Sequence, residues 1–372
     1  MVIRDFINAY TSEKMSLPRL IAYYLPQFHP IPENDQWWGK GFTEWTNVGK
    51  AKALFPGHMQ PKVPSELGYY DLRVPETRKA QAKLAQEYGI EGFCYWHYWF
   101  GNGKRLLERP FNEVVMSGEP EFPFCLAWAN ESWQGFWHGA EDRPTLIEQL
   151  YPGDIDIENH FYSLLPAFKD NRYIKVDGKL LFLIYRPLDM PDHNSFFSIW
   201  QKLARENGLS GFYFVGMTYS ERDIDLLLKI GFDAVNYNGT NRYRQQRKSL
   251  KYALLGRFYK YAFGCQHVCF YKYAMKFFVD DNASRENVFP TVIPNWDHSP
   301  RTGKKAYILH GSTPQLFKKH LLKMKDVISN KETDKNIVFI KSWNEWGEGN
   351  YLEPDIVWGR QYLEALKEAF FD

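Results

Sequence analysis

The chain has 372 residues, 46 Lys plus Arg against 44 Asp plus Glu, a formal net charge of +2, and an aromatic share of 17%. That length leaves room for a sizeable core and suits an α/β barrel used as a single unit, while the near-neutral balance provides no global field to recruit nucleic acid or an acidic partner. The 13 Trp and 24 Tyr tilt the composition toward sugars, whose apolar faces stack on such rings, although large cores consume aromatics too.

The first strand-like run is 20–25. Ahead of it, residues 1–18 read as an N-terminal extension with acids and no apolar core of signal-peptide length, so no secretory signal is expected. Residues 19–372 read as one domain. The first run ends in Tyr24-Leu25-Pro26-Gln27-Phe28-His29, and a long loop then carries Trp37, Trp38, Glu44 and Trp45. Pro75 opens a helix with Arg78, Ala80, Leu84, Ala85 and Tyr88, closed by Gly89.

The second run, 92–98, ends in Tyr95-Trp96-His97-Tyr98-Trp99, and the third, 124–129, in Trp128-Ala129-Asn130-Glu131-Ser132-Trp133. The fourth, 180–185, ends in Tyr185-Arg186. A helix follows from about Ser195 to Gly208, then a fifth run at 211–217 and a helix from Ser220 to Gly231. The sixth run, 234–237, ends in Asn236-Tyr237-Asn238. An insertion of about 240–288 separates it from the seventh, 290–293, which ends in Asn295-Trp296-Asp297. Thr313-Pro314 starts a helix reaching about Ser329. The eighth run is 337–340, and a last helix covers 362–370.

Most of these runs are continuously apolar, as strands buried on both faces of a parallel sheet are. Eight of them alternating with helices predict a (β/α)8 TIM barrel. An open doubly wound sheet is the alternative, but no Gly-x-Gly-x-x-Gly follows an early strand and no phosphate-binding Gly-Lys-Ser/Thr loop occurs. In a barrel the C-terminal strand ends face one cleft. They carry aromatics, amides and carboxylates without a nucleophilic Ser or Cys motif, which suits carbohydrate over acyl transfer.

The eighth end is the richest: Lys341-Ser342-Trp343-Asn344-Glu345-Trp346-Gly347-Glu348-Gly349-Asn350 sets two carboxylates among tryptophans and glycines. Glycosidic chemistry needs such a pair, one protonated and one ionised. Glu345 and Glu348 are therefore the candidate catalytic residues, and their spacing does not say which is the acid. Glu44, Glu131, Asp297 and Glu353 are candidate helpers. Tyr24, Tyr95, His97, Trp128, Asn130, Tyr185, Arg186, Tyr237 and Asn238 are candidate walls of the sugar subsites. Gln27, His29, Trp45, Trp296, Trp343, Asn344 and Trp346 complete the substrate-binding set.

No metal or cofactor is expected. Cys265-Gln266-His267-Val268-Cys269 is half of a metal site at most, with no second Cys/His pair nearby. The other cysteines, Cys94 and Cys125, fall inside predicted strands and suit reduced thiols, which places the protein in the cytoplasm. Residues 242–276 stand apart, with nine Lys or Arg, no acid and many aromatics. They read as a basic subdomain face, or as a peripheral contact with the inner face of a membrane or an acidic polymer.

Two longer motifs, 21–30 (Ile-Ala-Tyr-Tyr-Leu-Pro-Gln-Phe-His-Pro) and 37–48 (Trp-Trp-Gly-Lys-Gly-Phe-Thr-Glu-Trp-Thr-Asn-Val), together with 92–100 and 128–133, resemble the WbsX-type proteins of bacterial polysaccharide gene clusters. The resemblance runs from about Leu20 to Leu366. Those proteins are often labelled glycosyltransferases and are similar to glycoside hydrolase family 99, the endo-α-mannosidases and endo-mannanases, which are retaining (β/α)8 barrels. The resemblance implies that Glu345 draws the proton from the sugar's own 2-hydroxyl as O2 attacks the anomeric carbon, giving a 1,2-anhydro sugar. Glu348 would protonate the leaving oxygen and then activate water. Where the mannosidases carry His between the second Trp and second Glu, this chain has Gly347, which sets its sugar preference apart.

A retaining, endo-acting hydrolase or transglycosidase acting on α-linked surface polysaccharide or its precursor is the leading expectation. A glycosyltransferase of lipopolysaccharide, O-antigen or capsule synthesis is the alternative, though no Asp-x-Asp metal site follows a strand. An inert carbohydrate-binding barrel is the third possibility.

Overall fold

A computed structural model describes residues 17–135 and 145–372, with backbone only at 244–248. The expected extension at 1–18 lies, save its last two residues, outside the described part. Eight parallel strands form a closed ring: β1 (Arg19–Tyr24), β2 (Gly92–Trp99), β3 (Phe124–Trp128), β4 (Lys179–Ile184), β5 (Phe212–Thr218), β6 (Ala234–Tyr237), β7 (Val288–Val292) and β8 (Ile337–Ile340). Each pairs in parallel with the next, and β1 closes the ring on both sides, with Leu20 opposite Val338 and Ile21 opposite Gly92. The expected (β/α)8 barrel is the architecture found.

Burial explains the continuous apolar runs, since β2, β3, β5 and β8 are buried at every position. The outer ring contains α1 (Pro75–Glu87), α2 (Arg109–Ser117), α3 (Asp154–Phe168), α4 (His193–Glu206) and α5 (Ile224–Ile230) after the first five strands. The starts follow local chemistry. Asp192 accepts from the Ser195 amide at 3.0 Å to cap α4, and proline opens α1 and α2. The sequence reading marked neither α2 nor α3, each of which fills its expected barrel position.

After β6 the pattern breaks. A 3-10 segment (Gly239–Lys248) leads into α6 (Leu250–Phe263), in which no residue is buried, and a short strand, His267–Phe270, pairs in parallel with Tyr307–His310 from the loop after β7. The insertion is thereby fastened to the rim of the barrel. Helices α7 (Pro314–Ile328) and α8 (Gln361–Phe370) restore the outer ring. Strand β7 starts two residues earlier than expected, with Pro290 opposite Tyr237.

Candidate active site

At the C-terminal end of the strands a cleft of about 230 Å³ opens over the loop after β8. Glu345 and Glu348 both line it, with Leu25 and Gln27 from the first strand end, Trp96 and Tyr98 from β2, and Glu131 and Trp133 beyond β3. Tyr185, Tyr219, Trp296, His298, Arg301 and Lys341 complete the wall. The floor is charged and the sides are aromatic.

Glu345 is 4% exposed. The Trp96 indole donates to its Oε1 at 2.8 Å and the Lys341 ammonium to its Oε2 at 3.0 Å. Lys341 in turn lies 5.4 Å and 5.3 Å from the ring centres of Trp96 and Trp296, so its charge is held between two π faces as well as by the carboxylate. Burial pushes the Glu345 carboxyl up and the neighbouring Glu348 adds to this, while Lys341 and Arg301 oppose; the group ends above the ordinary carboxylate range.

Glu348 has the opposite balance. Burial alone would raise it, but His298, Arg301 and Lys341 together hold it well below the ordinary range. Arg301 donates to its Oε1 at 2.6 Å, the Asn350 amide to its Oε2 at 3.3 Å, and the His298 Nε2 stands 3.3 Å from Oε2. In the free protein the two carboxyls are therefore shifted in opposite directions, Glu345 up and Glu348 down.

Arg301, from the short helix Ser299–Thr302, also reaches Glu44, whose Oε2 stands 3.1 Å from Nη2 and 3.2 Å from Nε. Glu44 is fully buried, so Arg301 bridges a hidden carboxylate to one in the cleft. Gly347 makes this possible. A Cβ there would stand 1.8 Å from Glu44 Oε2 and 3.2 Å from Arg301 Nε, so the ion pair occupies the space that a side chain at 347 would take.

Of the residues expected in the site, Gln27, Glu131, Tyr185, Trp296, Glu345 and Glu348 line the cleft, and Glu44 stands behind it. Tyr24 and Tyr95 do not, because alternate side chains of a strand face opposite ways. They meet on the outer face of the barrel, ring centres 4.5 Å apart, with the Tyr24 hydroxyl donating to Gln81 of α1. Their neighbours Tyr23 and Trp96 stack inside the ring at 4.9 Å. His97 also faces outward, its Nε2 2.8 Å from that of His160 on α3, and Trp128 packs on His160 and Phe196. Both are core residues.

Asn130 and Asn344 are staples. Asn130 exchanges hydrogen bonds with the Arg186 backbone, and Asn344 with both polar backbone atoms of Leu25, which ties neighbouring strand ends together. Asn238 accepts from the Thr240 amide and hydroxyl to close its own turn, and Tyr237 is buried beside it away from the cleft. Arg186 sits at the exposed rim and reaches Glu131 at 3.1 Å. His29 is buried behind the first strand end. Trp45 donates to the Tyr70 carbonyl and packs on Phe28 and Trp346.

Trp343 is buried against Phe93. Trp346 stacks on Tyr351 at 3.7 Å and donates to Glu353, which turns away from the cleft. Asp297 faces a second cavity, where His58 and Gln60 reach its Oδ2 at 2.8 Å and 2.6 Å; burial would raise its carboxyl, but His58, Lys62 and Ser299 hold it down at about 2. Among the described residues no cluster of three or more His, Cys, Asp or Glu is placed to hold a metal, and all four cysteines are buried thiols.

The residues not anticipated are Leu25, Trp96, Tyr98, Ala129, Trp133, Tyr219, His298, Arg301 and Lys341. Trp96 and Tyr98 were one position from the residues chosen, and Lys341 opens the motif itself. His298 and Arg301 follow directly on Trp296-Asp297, and a basic residue just past a barrel strand end was the available signal.

The profile of the family described as Glycosyltransferase WbsX matches residues 20–366, and the chain belongs to that family. The uncharacterized protein WxcX of Xanthomonas campestris pv. campestris, found in two strains, is 36% identical over 352 residues, which are 94% of this chain and 49% of WxcX. The chain thus spans about half the length of the curated relatives it matches. Among solved structures, a glycoside hydrolase-like protein is similar at 17% identity and a TM-score of 0.60, over 96% of this chain and 95% of the other. The GH99 endo-α-mannosidase from Bacteroides thetaiotaomicron, in complex with bis-tris propane, is similar at 14% identity and a TM-score of 0.54, over 94% and 95%. At these identities the likeness is one of fold: a glycoside hydrolase-like TIM barrel.

Proposed function

We propose that the protein is a carbohydrate-active enzyme that breaks or exchanges a glycosidic bond at the Glu345/Glu348 pair. The observation that carries this is the pair itself: two carboxylates of opposite polarisation on one loop, at the floor of a cleft walled by Trp96, Trp133, Tyr185 and Trp296. Aromatic walls take the apolar faces of a sugar, and the acids flank its anomeric centre. We take the substrate class to be an α-linked surface polysaccharide or its precursor and the outcome to be retention through the 1,2-anhydro sugar.

The free-state polarity runs opposite to that cycle, in which Glu345 is the base and Glu348 the acid. Arg301 accounts for the difference. A sugar whose leaving oxygen enters beside Glu348 takes the place of the Arg301 contact, so Glu348 becomes more basic and can carry the proton for the leaving oxygen, while Glu345 accepts the 2-hydroxyl proton. The test uses sugars with an aryl leaving group that needs no protonation, alongside a panel of α-linked oligosaccharides. Glu348→Gln is expected to lose the oligosaccharide reaction by about 10²–10⁴-fold and to keep the first aryl release as a burst followed by slow turnover, since Glu348 also activates water, while Glu345→Gln loses both. The reverse pattern would exchange the two roles, and an active Glu345→Gln variant on oligosaccharides would end the mechanism.

The family description favours a second reading, transfer from a nucleotide sugar. Saturable binding of a nucleotide sugar in calorimetry supports it, and the absence of binding counts against it. Gly347 and the Glu44–Arg301 pair supply the specificity element. An ion pair with a fork of donors stands where the mannosidase relatives have an imidazole, so the sugar preferred here is one that accepts hydrogen bonds from a guanidinium.

A further inference from the structure

The basic insertion is not absorbed by the cleft chemistry, and its helix α6 has an unusual outer face. Leu250, Leu254, Phe258 and Tyr261 recur at the spacing of one helical face and are 74%, 52%, 56% and 83% exposed. Lys251 and Arg257 border this stripe on its two sides, and Lys260 lies farther round on the Arg257 side; all three are exposed. The opposite face holds the helix down. Tyr259 and Phe263 pack on Phe55, with ring centres 4.8 Å and 6.0 Å apart, next to the His58 that bonds Asp297 beside the cleft.

An apolar stripe of four large side chains turned to water is costly unless something covers it. The charge around it selects the cover. Residues 242–276 hold nine basic residues and no acid inside a chain of net charge +2, so positive charge is concentrated in this insertion, and Lys251, Arg257 and Lys260 place part of it on α6. Apolar side chains along a centre line with cations on both borders are the arrangement that lies flat in a lipid interface, and tyrosine favours the boundary between headgroup and acyl chain.

We propose that α6 is a membrane-surface helix whose partner is an anionic phospholipid bilayer. Leu250, Leu254, Phe258 and Tyr261 enter the headgroup–acyl boundary, and Lys251, Arg257 and Lys260 meet the phosphates. Because α6 follows β6 at the C-terminal end of the barrel, the end where the cleft opens, docking holds the Glu345/Glu348 cleft beside the membrane surface. The inference does not depend on the chemistry proposed for that cleft.

The test is co-sedimentation of the full chain with vesicles of phosphatidylcholine alone and of an equal mixture with phosphatidylglycerol. The wild type is expected to sediment with the mixed vesicles and not the neutral ones, with partitioning that falls as salt rises. Lys251→Glu with Arg257→Glu is expected to lower partitioning by about fivefold or more per charge reversed. Leu254→Ser with Phe258→Ser is expected to lower it by about tenfold or more, with an unchanged melting curve, because all four positions are exposed. No sedimentation of the wild type, or binding indifferent to Leu254→Ser with Phe258→Ser, overturns the proposal. So does a doubled mass in light scattering that the apolar variant returns to monomer, since the face would then be a contact between copies.

Discussion

One loop places two buried carboxylates, Glu345 and Glu353, and the half-buried Glu348 in two unlike surroundings. On its cleft side Glu345 and Glu348 share Lys341 and Arg301, with His298 beside Glu348 alone, and on its rear side Glu353 meets neutral donors: the Trp346 indole at 2.6 Å, the Gln81 amide at 2.6 Å and the Tyr70 hydroxyl at 2.8 Å. Burial pushes Glu353 up to about 7 even against those three hydrogen bonds, whereas Glu348, half-buried, is held well below its ordinary range by His298, Arg301 and Lys341. The comparison of Glu348 with Glu353 shows that facing cations set the direction in which a carboxylate of this loop is shifted. It also separates two uses of the motif, one side for chemistry and the other for fastening the loop to β1 and α1.

The largest effect expected from breaking the cleft side is on catalysis. Glu345→Gln lowers kcat by about 10²–10⁴-fold in a protein that keeps its fold, as read in parallel activity assays and circular dichroism. Arg301→Ala comes next. It leaves Glu44 buried without its cation and costs about 3–5 kcal/mol in urea unfolding, with Arg301→Lys recovering part because the charge returns but the fork does not. An Arg301→Ala variant as stable as the wild type would mean that the bridge is dispensable.

The rear side is tested by pH. Glu353 has a folded-state value raised from 4.5 to about 7, so its contribution is fully present below the unfolded value and is lost as pH rises through 7. That loss amounts to roughly 3 kcal/mol above pH 7. Urea midpoints across pH 5 to 8 are expected to fall in the wild type and to lose that component in Glu353→Gln; identical pH slopes in the two proteins would count against the contrast between the two sides. Smallest is Gly347→Ala, whose Cβ displaces Glu44 and Arg301 at a cost of about 1–3 kcal/mol. A thermal melt identical to that of the wild type would show that the pair moves aside freely.

The barrel was legible because its evidence is local and repeated. Buried parallel strands are apolar at every position, and proline, capping residues and glycine punctuate the helices between them, so all eight runs and five of the outer helices can be marked along the chain. The same uniformity hid which side chains face inward. A run such as Gly92-Phe93-Cys94-Tyr95-Trp96-His97-Tyr98 shows no alternation, so Tyr95 and His97 were chosen for the cleft where Trp96 and Tyr98 stand. Only barrel closure, with Tyr23 stacked on Trp96, assigns the faces.

By itself the sequence determined the eight-strand repeat, the family, and the pair Glu345 and Glu348, because these depend on residue type and near neighbours. The tertiary structure decided what surrounds the pair. Arg301 and Glu44 lie 257 positions apart and meet across the space left by Gly347, and no local pattern records a contact of that separation. Polarity in the site depends on such long-range charges, since a buried carboxylate takes its proton affinity from what the fold places against it.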